Sequence, residues 1–129
     1  YERRVGDKRI GVIAFSVWMP VAVAQIDSAV DRFRGHDAIV FDVRGNPGGV
    51  ASMVGGVVGH VVDSQYVVGT LTQRGVTLSL RANPRRVSTT AERVTPFAGP
   101  VAVLIDPLSA SASEFFAAGL QGLGRARVF

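Results

Sequence analysis

At 129 residues, with 47% hydrophobic and 19% charged side chains, the chain is long enough to bury one core and too apolar to stay disordered. It has no cysteine, which excludes disulfides, cysteine-held zinc and thiol catalysis, and no run nears the roughly 18 apolar residues of a membrane span. The net charge of +4 comes from scattered arginines; only Arg3-Arg4 and Arg85-Arg86 are adjacent, and no aromatic residues interleave with them as a nucleic-acid stacking platform would need.

Residues 8–17 are rich in Ile, Val and Phe and read as a strand that Pro20 ends. Residues 21–34 read as a helix, with Ile26, Val30 and Phe33 at helical spacing and Gly35 as its C-cap. The nearly continuous apolar run 38–43 suits a strand buried on both faces of a parallel sheet. RGNPGG at 44–49 is the strongest turn signal in the chain. Residues 50–62 read as a helix whose Gly55, Gly56 and Gly59 each cost about 1 kcal/mol against alanine, so it needs tertiary packing and admits close approach of another backbone. Strands are expected at 66–73 and 76–82, joined by a hairpin at Arg74-Gly75, then loop over 83–99. A buried strand at 101–105, a helix at 110–122 and an apolar extended run at 125–129 complete the order. Strands alternating with helices give an α/β class with a mainly parallel sheet. RARVF at 125–129 carries no turn, cap or polar tail, so one domain, 1–129, cut within a larger one, is expected.

Two buried strands end in unusual loops, and in open α/β sheets sites form beyond the carboxyl ends of strands. GNPGG can turn backbone N–H groups outward, as an oxyanion hole requires. In LIDPLSASASEFFAAGL, residues 104–120, three serines stand at alternate positions where a strand hands over to a helix. Ser111 would sit at that helix start, where amides and the helix dipole favour negative charge. Each signal has an ordinary reading as well. GNPGG is also a tight turn, and Ser111 with Glu114 fits the S-x-x-E capping box. Asp106 before Pro107 reads as a turn former. His60, in the glycine-rich helix, is a packed residue or a catalytic partner; His36 follows the Gly35 cap. No residues have metal-ligand spacing, and no phosphate-binding glycine motif is present.

Taken together, FDVRGNPGG and GPVAVLIDPLSASASEFFAAGLQGLGRARVF resemble the carboxy-terminal processing, or tail-specific, proteases. The resemblance is strong over 39–49 and 99–129 and weak over 66–95. It implies a ClpP/crotonase-like α/β core with ββα-type repeats, a serine endopeptidase activity on unstructured protein or peptide substrates, and no cofactor. It implies Ser111 as nucleophile, the Ala112 amide and that of Gly48 or Gly49 as the oxyanion hole, and Asp42, Arg44 and Asn46 as supports of the turn. Ser109, Ser113 and Glu114 are expected to cap or pack. A bacterial envelope or secreted setting follows from the resemblance alone; no signal-peptide pattern stands in this chain.

Two departures accompany the resemblance. The family's general base is a lysine about two dozen residues past the nucleophile, a Ser-Lys variant of the triad, whereas the only lysine here is Lys8; residues 1–129 alone are therefore expected to be inactive. The PDZ module of longer members, which captures tails by strand addition, is not present in these residues. The alternative is a non-catalytic module on the same core, binding an apolar ligand or a peptide. A crotonase-type acyl-CoA enzyme would share the core and leave SASASE unexplained. Self-association through the strand edge near Phe129 is a further expectation.

Overall fold

The computed structural model describes residues 1–129. Its main sheet has five strands in the order β1 (Glu2–Val5), β2 (Lys8–Ala14), β3 (Ala38–Asp42), β6 (Val101–Leu104) and β7 (Arg127–Val128). β1 is antiparallel to β2; the other pairings are parallel, with Val12 beside Val40, Phe41 beside Val103 and Val103 beside Val128. β4 (Tyr66–Gln73) and β5 (Val76–Ala82) form a separate antiparallel hairpin. The expected α/β class with a mainly parallel sheet is the one observed.

Helix α1 (Pro20–Phe33) starts on Pro20, where a missing N–H costs nothing, and turns Ile26, Val30 and Phe33 onto the sheet. The central strands β3 and β6 bury Ile39, Phe41, Val101 and Val103. Only this face is buried: Ala38, Val40, Ala102 and Leu104 between them are half-buried, so β3 alternates instead of being buried on both faces as expected. With α1, α2 (Met53–Val58) and α3 (Ala112–Gly122) the buried face forms one continuous core including Trp18, Phe33, Phe116 and Leu120. No helix is long and apolar enough to cross a membrane.

Three other elements differ from the sequence reading. The strand expected to reach residue 17 stops at Ala14, because Trp18 turns aside to bridge Gly49. The helix expected over 50–62 is confined to 53–58. Val50 is committed to a bond with the Trp18 carbonyl, and beyond Val58 the chain tightens into three-residue turns, His60 N–H to Val57 O and Val61 N–H to Val58 O. Two of its three glycines have the expected use: a Cβ at Gly55 or Gly59 would overlap the carbonyl oxygens of Arg81 and Asn83, whereas Gly56 faces open space. β1 was not foreseen, since all four of its residues are exposed and three are charged, which leaves no apolar period to read.

Candidate active site

β3 and β6 lie side by side and parallel, so the loops that follow them emerge at one edge of the sheet. The 43–50 loop and the 105–111 loop are joined there by a dense set of bonds. Asn46 is fully buried. Its side chain donates to Phe15 O (3.1 Å) and accepts from Gly48 N–H (2.9 Å), while its carbonyl accepts from Ala110 N–H (3.1 Å) and Ser113 Oγ (3.0 Å). Asp106 Oδ1 receives the amides of Gly45, Leu108 and Ser109 at 2.9, 3.0 and 3.1 Å. These bonds, that from Gly45 first, hold its carboxyl below the usual range. Asp42 grips Arg44 through two oxygens at 2.9 and 2.7 Å, and that contact lowers its pKa likewise.

The three serines have three different environments. Ser109 Oγ donates to Val43 O at 2.7 Å, tying the loop to the end of β3. Ser113 is fully buried and accepts from Trp18 Nε1 at 3.1 Å while donating to Asn46. Ser111 is the exposed one. It is the N-cap of α3 with φ 53° and ψ −114°, a region that a residue with a Cβ enters only when its surroundings force it. The force is visible: Glu114 accepts Ser111 N–H at 2.6 Å in a capping box, and the residues on either side are pinned through Ala110 and Ser113. Such a strand-to-helix elbow presents a side chain outward at the top of the sheet.

Gly48 packs directly on this elbow. A Cβ added to it would stand 2.8 Å from both Ala110 O and Ser111 Cβ, and 3.1 Å from Ala112 N. The turn and the serine are thus neighbours, as a shared oxyanion site requires. The amides differ in availability. Gly48 N–H is spent on Asn46. Gly49 is exposed, and because Trp18 pairs with Gly48 O and Val50 N–H, the Gly49 amide points away from Trp18 and has no acceptor. Ala112 opens α3, so its N–H has no intrahelical partner; the residue has no exposed surface.

Other candidates lie elsewhere. His60 is fully buried; its Nε2 meets Asp27 Oδ1 at 2.7 Å and its Nδ1 meets Arg34 Nη2 at 3.2 Å. Since a guanidinium only donates, Nδ1 accepts and Nε2 carries the proton. Burial pushes the His60 pKa down, and both nitrogens are committed away from Ser111, against a catalytic partnership. Lys8 pairs with Asp37 at 3.4 Å at the start of β2, the opposite edge of the sheet. No side chain hydrogen-bonds Ser111 Oγ, and no three His, Cys, Asp or Glu residues group as a metal site would need. The sequence reading missed the parts of Trp18 and Asp106. Asp106 was legible only as a turn former, and nothing in the order of residues ties Trp18 to Ser113.

The family model of peptidase family S41 matches residues 9–129. A carboxyl-terminal-processing protease of Picosynechococcus sp. is 27% identical over 121 residues, a match that covers 92% of this chain and 27% of that protein. Among solved structures, the photosystem II D1 C-terminal processing protease aligns with a TM-score of 0.73 at 23% identity, covering 93% of this chain and 30% of the other. Mature CPAF aligns at 0.67 and 15%, covering 98% and 38%. The chain thus spans about a quarter to two-fifths of the lengths of these relatives. The strand order, the paired loops after β3 and β6 and the match across nearly the whole chain agree: the chain belongs to peptidase family S41.

Proposed function

We propose that these residues are part of a serine endopeptidase in which Ser111 attacks the peptide carbonyl of unstructured protein segments. The observation that carries the reading is the backbone of Ser111, held at φ 53° and ψ −114° against Gly48, with the unpaired amides of Gly49 and Ala112 on either side. Ser111 Oγ bonds to the carbonyl carbon and gives its proton to a base. The resulting oxyanion is stabilised by Gly49 and Ala112 N–H. The tetrahedral species expels the amine, which takes a proton, and water then hydrolyses the ester on Ser111. Gly48 serves as the turn former whose missing side chain leaves room for the elbow; Asn46, Asp106 and Ser109 hold the two loops in register, while Asp42 with Arg44 braces the first loop and Glu114 the elbow. Ala112 is enclosed, so a small outward movement of Gly48 has to uncover its amide when substrate arrives.

The base comes from outside residues 1–129. β7 runs parallel to β6, and Ile105 N–H bonds Phe129 O at 2.9 Å, so the chain is heading toward the Ser111 edge when it reaches Phe129. A lysine about two dozen residues past Ser111, as the family resemblance implies, would follow on that side. The test is hydrolysis of an unfolded protein by the natural protein that carries this chain. Ser111→Ala should lower kcat by several powers of ten with the fold retained, and near-normal turnover would refute the reading. A non-catalytic peptide-binding module is the second reading. It is favoured by the closed Ala112 amide and the absence of a side-chain partner on Ser111 Oγ, and it predicts saturable peptide binding without turnover. An envelope or secreted setting belongs to the leading proposal.

A further inference from the structure

Trp18 is fully buried. Its ring stands edge-on to Phe15 at 4.9 Å and tilted against Phe116 at 5.2 Å between centroids. Such a site asks only for a large hydrophobe, and phenylalanine would serve; an indole adds a buried N–H that needs an acceptor. The acceptor is Ser113 Oγ at 3.1 Å. An indole nitrogen only donates, so the Ser113 oxygen accepts, and its own proton goes to Asn46 O at 3.0 Å.

The backbone of the same residue is committed to the other loop. Trp18 N–H donates to Gly48 O at 2.9 Å, and Trp18 O accepts from Val50 N–H at 2.8 Å, so the two bonds flank Gly49. The fit there is close, since a Cβ on Gly49 would overlap the Trp18 carbonyl. Ser113, for its part, follows Ala112 in the first turn of α3. Trp18 thus bonds the chain neighbours of both unpaired amides: those of Gly49 through its backbone, that of Ala112 through its side chain. Asn46 also joins the two loops, but it grips Gly48 and Ser113 from within the first loop. Trp18 enters from the segment after β2 and spans the pair from outside. Two donors stabilise one oxyanion only when both are held within about 0.5 Å of the productive geometry.

We infer, on the peptidase reading of Ser111, that Trp18 is a positioning residue whose indole N–H sets the spacing between the Gly49 and Ala112 amides. It touches neither substrate nor the reacting atoms. It acts through Ser113, which it fixes as a donor to Asn46, and through the backbone bridge to residues 48 and 50.

The experiment uses the natural protein that carries this chain, with the Trp18 indole replaced by benzothiophene, which exchanges N–H for S in nearly the same shape. Hydrolysis of an unfolded protein substrate should lose about tenfold or more in kcat while KM changes by less than about twofold, because the misplaced amides act in the transition state. In protein whose Ala112 amide is also replaced by an ester, the same exchange should cost much less, since one of the two donors it aligns is already gone. Should the benzothiophene protein fail to fold, Ser113→Ala removes the acceptor instead and carries the same two expectations. Ser111-dependent hydrolysis with an unchanged kcat, a rise in KM in place of the fall in kcat, or a loss of undiminished size in the ester background overturns the role of Trp18 and leaves the peptidase reading standing. Hydrolysis that survives Ser111→Ala overturns the peptidase reading and the role of Trp18 with it.

Discussion

The two edges of the parallel sheet are built on opposite principles. At the amino ends of the strands, Asp27, His60, Arg85, Arg34 and Asp31 form a chain in which every charge has a partner: Asp27 takes His60 and Arg85 at 2.7 Å each, Arg34 takes Asp31 at 2.9 Å, and Arg34 also donates to Thr95 O at 2.7 Å. At the carboxyl ends, Asn46 and one oxygen of Asp106 are heavily bonded too, but they surround a serine in a strained conformation and the unpaired amides of Gly49 and Ala112. One edge spends these groups on holding α1, the turn after α2 and the 83–99 loop together, and leaves His36 Nδ1 as its one buried side-chain atom without a partner. The other ties its frame together and leaves two amides at its centre unpaired, that of exposed Gly49 and that of Ala112, which Gly48 still covers; donors held back from other partners are what an oxyanion site needs. Buried, fully paired polar groups signify architecture; strain beside free donors signifies chemistry.

Substitutions should separate the two edges. After Ser111→Ala, the largest effect without loss of fold is expected when the Ala112 amide is replaced by an ester. That removes one proposed oxyanion donor and should cut kcat by about 10² to 10³, read by peptide hydrolysis of the natural protein, with circular dichroism confirming the fold. Gly48→Ala comes next: at φ +105°, with Ala110 O and Ser111 Cβ 2.8 Å from the new methyl, it should lose about 1–3 kcal/mol in denaturant melts and most activity with it. Asn46→Ala orphans the buried amide of Gly48 and should cost about 1–3 kcal/mol, with a parallel fall in kcat because the turn is no longer pinned to Phe15.

At the amino edge the expected effects are on stability alone. His60 titrates below its ordinary 6.5 because burial disfavours its charged form, so the unfolded chain binds this proton more readily than the fold does. Stability from His60 is complete above about pH 6.5 and falls as pH drops toward its lowered folded value. His60→Gln keeps a donor for Asp27 and an acceptor for Arg34; it should flatten the melting temperature between pH 7 and 5 while leaving kcat alone. A large loss of kcat would show that the two edges are coupled.

The difference between the edges also explains how much could be read from sequence. The carboxyl edge was legible because its parts are local: GNPGG and SASASE are contiguous words, and it was the family resemblance they carry, not their spacing, that pointed to the middle serine. The choice between Gly48 and Gly49 was not legible, because it turns on where the Asn46 side chain folds back. The amino edge was hidden because its partners are 33 and 58 residues apart, Asp27 with His60 and Asp27 with Arg85, and a lone histidine on a glycine-rich helix announces no partner. The β4–β5 hairpin was read to its boundaries, since Arg74-Gly75, both with positive φ, forms a turn between two runs of β-branched residues. The short α2 was over-extended because apolar period alone cannot see Trp18 claiming Val50.

The central claim is that Ser111, and neither of its neighbouring serines, is the nucleophile. It is tested most directly by quenching the natural protein with acid during turnover of a peptide ester and locating the acyl group by mass spectrometry. The account predicts an ester on Ser111 that forms at the rate of the first turnover and is absent in Ser111→Ala. An acyl group on Ser109 or Ser113, or full turnover with no acyl group on any serine of residues 109–113, would contradict it.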